Sequence, residues 1–165
     1  MQIIDLILKE LDMEAKTTKK MLKLVPANKL EWRPHVKSMT MRQLSTHVAE
    51  LPGWIHMTLT TDGIDFAGMD FKPAEVKGSE DLLVILEKAL GEGRSALEKA
   101  TEADLQPDWT IRTGSTIHTV VTRYEMIRHA MSQIIHHRAQ LGVYLRLLDI
   151  PIPGSYGPSA DEQKF

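Results

Sequence analysis

The sequence has 165 residues, contains no cysteine and carries a formal net charge of −2. This length is typical of one domain with a substantial core, and a chain without cysteine has no disulfide, thiolate ligand or cysteine nucleophile. The small net charge and the lack of a basic run give no reason to expect a nucleic-acid partner, and no apolar run approaches the length of a membrane span. We therefore expect one soluble, cytoplasmic domain over residues 1–165, in which residues 150–165 form an irregular tail rich in proline and glycine.

Four segments show the periodicity of apolar residues that is typical of helices. The first covers about residues 2–23. The second begins at Thr40, which forms a capping-box pattern with Gln43. The third covers about residues 79–100, and the fourth, about residues 119–148, is the longest and is predicted to be a central bundle helix.

Proline, glycine and β-branched residues interrupt these patterns. Pro52 interrupts the second helix, because proline removes an amide donor and crowds the preceding turn. In the third helix, Gly91 and Gly93 either permit a close helix approach or mark a bend. The connection over residues 61–78 is long for a compact helical domain, which is typical of a crossover or a lid. Residues 101–118 favour a short extended hairpin or a loop over a helix.

Histidine and glutamine side chains gather along one flank of the fourth predicted helix. At about 100° per residue, His129, Gln133 and His136 fall on that flank, and His137 lies where it meets the apolar face. Gln133 and His137 are four residues apart, the spacing with which one helix contributes two ligands to one ion. His47 joins the buried side of the second helix and is a candidate third ligand. This pattern predicts a divalent-metal site with open positions for water or substrate.

The same residues also fit an interpretation without metal. In that interpretation His129 and His136 are solvated, whereas His47 and His137 are hydrogen-bonded histidines at the edge of the core. Glutamine is a poor metal ligand, which favours this alternative. Glu50, one turn after His47, is a candidate general base or a hydrogen-bond acceptor for a ligand histidine, or it is a solvated surface residue.

Four motifs in a fixed order resemble the DinB family. They are residues 30–34 (Leu-Glu-Trp-Arg-Pro), 44–50 (Leu-Ser-Thr-His-Val-Ala-Glu), 136–146 (His-His-Arg-Ala-Gln-Leu-Gly-Val-Tyr-Leu-Arg) and 150–158 (Ile-Pro-Ile-Pro-Gly-Ser-Tyr-Gly-Pro). The resemblance implies an all-α fold, namely a four-helix bundle of up-down-down-up type with a long crossover connection between helices two and three. It also implies a homodimer.

The resemblance further implies a ligand set and a reaction class. The family holds a divalent metal with three histidines, whose positions correspond here to His47, residue 133 and His137. Residue 133 is glutamine, so the expected metal ligands are His47, Gln133 and His137, with His129 as a substitute candidate. The implied function is a zinc-, nickel- or iron-dependent enzyme acting on a small-molecule substrate, such as a transferase using a low-molecular-weight thiol or a hydrolase, with Glu50 as the candidate catalytic residue. The alternative is a non-catalytic, stress-associated binding or dimerisation bundle with a degenerate metal site.

Overall fold

A computed structural model describes residues 2–68 and 74–163, and within them the chain forms five α-helices and one three-stranded sheet. The helices are α1 (Ile3–Leu22), α2 (Met41–Glu50), α3 (Gly53–Thr60), α4 (Ser79–Lys99) and α5 (Arg123–Leu147). The strands are β1 (Gly63–Asp65), β2 (Asp108–Thr113) and β3 (Thr116–Thr122), and short 3-10 turns lie at Ala27–Lys29 and Glu102–Leu105. No helix in the described part of the chain is both long enough and apolar enough to cross a membrane.

The predicted all-α four-helix bundle of up-down-down-up type is wrong, because the chain contains a mixed sheet and a divided second helix. β1 pairs in parallel with β2, and β2 pairs antiparallel with β3. The extended hairpin predicted within residues 101–118 is confirmed but continues to Thr122, since β-branched residues after residue 118 favour strand over the predicted helix start. The predicted crossover at residues 61–78 contributes β1, and its residues 69–73 lie outside the described residues.

Local sequence signals define the helix that carries His47. The Thr40 hydroxyl accepts a hydrogen bond from the amide of Gln43 at 3.2 Å, and the Gln43 side chain accepts one from the amide of Thr40 at 2.9 Å. The predicted capping box at the start of α2 is therefore confirmed. The predicted interruption at Pro52 is also confirmed, because it separates α2 from α3. His47 consequently lies in the last turn of α2.

The apolar core has two parts, and α5 contributes to both. One part lies against α2 and α4 and contains the C-terminal half of α5, including Leu141 and Leu145. The other lies against α1 and α3 and contains the N-terminal half of α5, including Ile127, Met131 and Ile134. Because α5 is buried along one side in both parts, its side chains are positioned over its whole length.

The α4 helix passes close to the junction of α2 and α3 at Gly93. A β-carbon at Gly93 would lie 2.6 Å from the carbonyl oxygen of Pro52 and 3.5 Å from the β-carbon of Ile55. A β-carbon at Gly91, two residues earlier, would meet nothing within 4 Å. Of the two interpretations of these glycines, close approach therefore applies at Gly93.

We predict opposite effects for alanine at these two glycines. Gly93→Ala should lower the free energy of unfolding by about 1–3 kcal/mol, because the added methyl group forces α4 away from Pro52. Gly91→Ala should raise it by up to ~1 kcal/mol, because alanine favours a helix and the position is open. Urea unfolding of both variants measures the difference, and equal effects would contradict the close approach.

A buried ion pair joins α1 to α5. Arg138 Nη1 donates to Glu14 Oε2 at 2.5 Å and to the Thr18 hydroxyl at 3.2 Å, and the charged side chains are only 3% and 7% exposed. Tyr156, from the tail, donates its hydroxyl to the other carboxylate oxygen of Glu14 at 2.7 Å, and its ring lies 5.7 Å from the guanidinium carbon. Arg138 directly follows His137, so this network also positions His137 on α5.

A second ion pair between the same helices provides a matched comparison. Arg128 contacts Glu10 at 2.6 Å, but these side chains are 35% and 36% exposed. We expect Arg138→Met to lower the free energy of unfolding by about 3–5 kcal/mol, because it leaves Glu14 as a buried, unpaired charge. Arg128→Met should cost about 1 kcal/mol or less. Similar losses in urea unfolding would show that burial of the Arg138 pair has no special role.

Candidate functional site

Two of the predicted metal ligands, His47 and His137, meet between α2 and α5. Their ring centroids are 4.7 Å apart, their planes are inclined at 74°, and both residues are half-buried. The ring of His136 lies 4.8 Å from that of His137, but His136 is exposed. Two imidazoles from different helices thus lie next to each other at the edge of the core.

A neighbouring glutamine orients the His137 ring. Nδ1 of His137 lies 2.8 Å from Oε1 of Gln140, one turn later on α5. Because an amide oxygen only accepts hydrogen bonds, Nδ1 carries the hydrogen and Nε2 of the neutral ring keeps its lone pair. This is the arrangement by which proteins orient histidine ligands. His137 is therefore prepared to donate an electron pair through Nε2.

Gln133, the middle residue of the predicted ligand set, is hydrogen-bonded to His129. Its Nε2 donates to Nε2 of His129 at 3.3 Å, and His129 is exposed. This bond involves the amide nitrogen and not Oε1, which is the only atom of the glutamine side chain suited to coordinate a cation. Within residues 2–68 and 74–163, no three His, Asp or Glu side chains are arranged to hold one ion. The structure therefore brings two of the predicted donors together, the imidazoles of His47 and His137.

A cavity of about 410 Å³ adjoins His47 and is bounded mainly by α2. Larger cavities, of about 520 and 590 Å³, lie beside α3 and α4 and at the sheet, and neither is lined by His47 or His137. We assign the smaller cavity to the site because it is lined by both His47 and the candidate base Glu50. Its other lining residues are Met39, Arg42, Gln43, Thr46 and Ala74.

The DinB-like motifs at residues 136–146 and 150–158 also contain Arg138, Tyr144 and Tyr156. The hydroxyl of Tyr144 donates to the carbonyl of Met39 at 3.1 Å, and its ring packs edge-on against Trp32 with centroids 5.6 Å apart. Arg138 and Tyr156 belong to the ion-pair network with Glu14. None of the three lines the cavity, so the contacts of each support the helices that carry the site.

The sequence model of the DinB family matches residues 1–164. The chain belongs to the DinB family. Its fold is similar to that of a DinB-like protein from Bacillus subtilis, with a TM-score of 0.69 and 18% identity over 96% of this chain and 99% of the other. A DinB-like protein from Bacillus cereus gives a TM-score of 0.70 and 18% identity over 91% and 95% of the two chains. At this identity the likeness shows a shared fold. No curated protein matches the chain.

Burial changes the protonation of two side chains in this DinB-family site. Burial lowers the pKa of His47 from its ordinary value of 6.5, and a positive charge on His137 lowers it further. Burial also raises the pKa of Glu50. The site thus favours the neutral form of His47, which is the form that binds metal, and favours the protonated form of Glu50 more than water does.

We expect His47 to titrate below pH 6.5 in NMR spectra of its ring protons. His137→Gln should move the midpoint part of the way back, because it removes the neighbouring charge but leaves the burial. His136→Gln is the control and should leave the midpoint of His47 unchanged, since His136 is exposed. A wild-type midpoint at or above 6.5 would contradict this account.

The lowered pKa of His47 also makes the stability of the fold depend on pH. The pKa of His47 is lower in the folded chain than in the unfolded chain, so protonation favours unfolding. The contribution of His47 to stability is therefore complete above pH 6.5 and is lost as the pH falls through the lower, folded-state value.

Proposed function

We propose that this DinB-family protein is a metal-dependent enzyme that acts on a small molecule and binds a divalent cation through His47 and His137. The observation that carries the proposal is the pair of half-buried imidazoles, with ring centroids 4.7 Å apart, contributed by two different helices. Zinc, nickel and iron(II) all accept imidazole ligands. Gln133, one turn before His137, is the proposed third ligand through Oε1, because its amide nitrogen is bonded to His129.

The protein's own residues would perform the remaining steps. A bound divalent cation supplies Lewis-acid activation of a thiol or water. Gln140 holds the His137 ring in the tautomer that presents Nε2. Glu50 lines the same cavity as His47 and has a raised pKa, so we assign it as the base that accepts the proton of the substrate thiol or water. The resemblance to the family favours a thiol-dependent transferase among these reactions.

The alternative function is a non-catalytic binding or dimerisation protein whose metal site has degenerated. The observation that favours it is the hydrogen bond of Gln133 to His129, together with the lack of a third His, Asp or Glu ligand among the described residues. A homodimer and a cytoplasmic location remain expectations under either function. A measurement of metal binding distinguishes the two proposed functions.

We expect the chelator-treated protein to bind one zinc ion per chain in calorimetric titration. His47→Ala and His137→Ala should each weaken binding by at least about tenfold, because each removes one of two imidazole ligands. His136→Ala is the matched control, since it removes an exposed imidazole adjacent to His137, and it should leave the affinity unchanged. Circular dichroism of each variant verifies that it remains folded.

A gain-of-affinity variant tests the third position. Gln133→His should tighten zinc binding by about tenfold or more, because imidazole is a much better ligand than an amide oxygen. Absence of zinc binding by the wild-type chain and by Gln133→His would favour the non-catalytic alternative. An equal loss in His136→Ala and His137→Ala would indicate surface binding at exposed histidines.

A further inference from the structure

Thr46 is a buried polar residue in the wall of the cavity beside His47. Thr46 is 7% exposed, and its hydroxyl has no hydrogen-bond partner among the described residues. A threonine hydroxyl in a helix usually donates to the carbonyl four residues earlier. Here Thr46 makes no such bond; the hydroxyl of the preceding residue, Ser45, donates to the carbonyl of Met41 at 2.7 Å and lies 3.2 Å from that of Arg42. The Thr46 hydroxyl is thus a buried group that is free to hydrogen-bond a ligand.

The charges on the cavity wall do not favour an anion. The guanidinium of Arg42 donates through Nε to Glu31 Oε1 at 2.9 Å, approaches it through Nη2 at 2.7 Å, and donates through Nη1 to the carbonyl of Val76. Its positive charge is therefore paired with the carboxylate of Glu31, and Nε and Nη1 each donate a hydrogen bond. The cavity wall also carries the carboxyl group of Glu50. Among the described lining residues, no other lysine or arginine is present to attract a negative group.

We propose that this cavity binds the uncharged, partly apolar portion of the substrate, and that the Thr46 hydroxyl hydrogen-bonds a polar group of that portion. Met39 and Ala74 supply apolar surface to the same wall. Thr46 is then a specificity-determining residue that selects a polar group in this position, and the carboxyl group of Glu50 on the same wall disfavours an anionic one. The inference rests on the proposed function, because it takes the cavity beside His47 as part of the substrate site.

Benzamide and benzoate are matched probes for this cavity, since they have similar shape and differ in charge. In chelator-treated, full-length protein, benzamide should shift the backbone amide NMR signals of Gln43, Thr46 and Glu50 saturably at millimolar concentration. Benzoate should bind at least about tenfold more weakly at these residues. Using metal-free protein prevents benzoate from binding directly to a cation.

Thr46→Val tests the hydroxyl, because valine keeps the shape of the side chain. It should weaken benzamide binding about fivefold, as expected for one lost hydrogen bond. Thr58→Val is the matched control: Thr58 is fully buried, does not line the cavity and already donates to the carbonyl of Trp54 at 2.7 Å. The control should retain benzamide affinity but lower the melting temperature, whereas Thr46→Val should leave the melting temperature unchanged or raise it.

Three results would overturn the inference: benzoate binding as tightly as benzamide, unchanged benzamide affinity in Thr46→Val, or no saturable shift with either probe. Zinc titration of the same preparation keeps this test separate from that of the proposed function. Zinc binding without benzamide binding overturns the pocket alone. Benzamide binding that depends on Thr46, in a chain that binds no zinc, overturns metal dependence but supports the pocket.

Discussion

The ion pair between Glu14 and Arg138 determines how the longest helix lies against the first. Removing two charges from water is costly, and the cost is offset only where both groups are fully hydrogen-bonded. Here Arg138 contacts the carboxylate and carbonyl of Glu14 and the Thr18 hydroxyl, and Tyr156 donates to the second carboxylate oxygen. A shift of α5 by one residue would leave these charges unpaired. His137 precedes Arg138, so the same constraint determines where its ring lies.

The partner of His137 is positioned by a second, independent constraint. His47 lies in the last turn of α2, and α4 approaches the junction after that turn so closely that Gly93 has no room for a β-carbon. Pro52 ends α2 there and offers its carbonyl oxygen to the contact. Electrostatics on α5 and close backbone packing on α2 together bring two imidazoles within 4.7 Å at the edge of the core.

Local patterns predict the parts of this fold that depend on local interactions. The capping box of Thr40 and Gln43 and the break at Pro52 are confirmed because each acts within one turn. The three residues of β1 pair in parallel with a strand more than forty residues later, and such a short segment has no periodicity of its own. In the site, spacing indicated that His47 and His137 could meet. The hydrogen bond from Gln133 to His129 and the unpartnered Thr46 hydroxyl depend on rotamers and on competing acceptors, which sequence spacing does not determine.

The proposed site has two imidazole ligands, whereas the resemblance to the family implies three histidines. An amide oxygen of Gln133 in place of a third imidazole would weaken cation binding, but the lowered pKa of His47 would reduce competition from protons at neutral pH. A weakly bound cation would also contribute less to substrate binding, so side chains of the protein would have to supply more of the substrate affinity. The Thr46 hydroxyl, one residue before His47 and buried in the cavity wall, is a group able to supply it. In this chain, substrate selection and metal binding would therefore depend on adjacent residues of one helical turn.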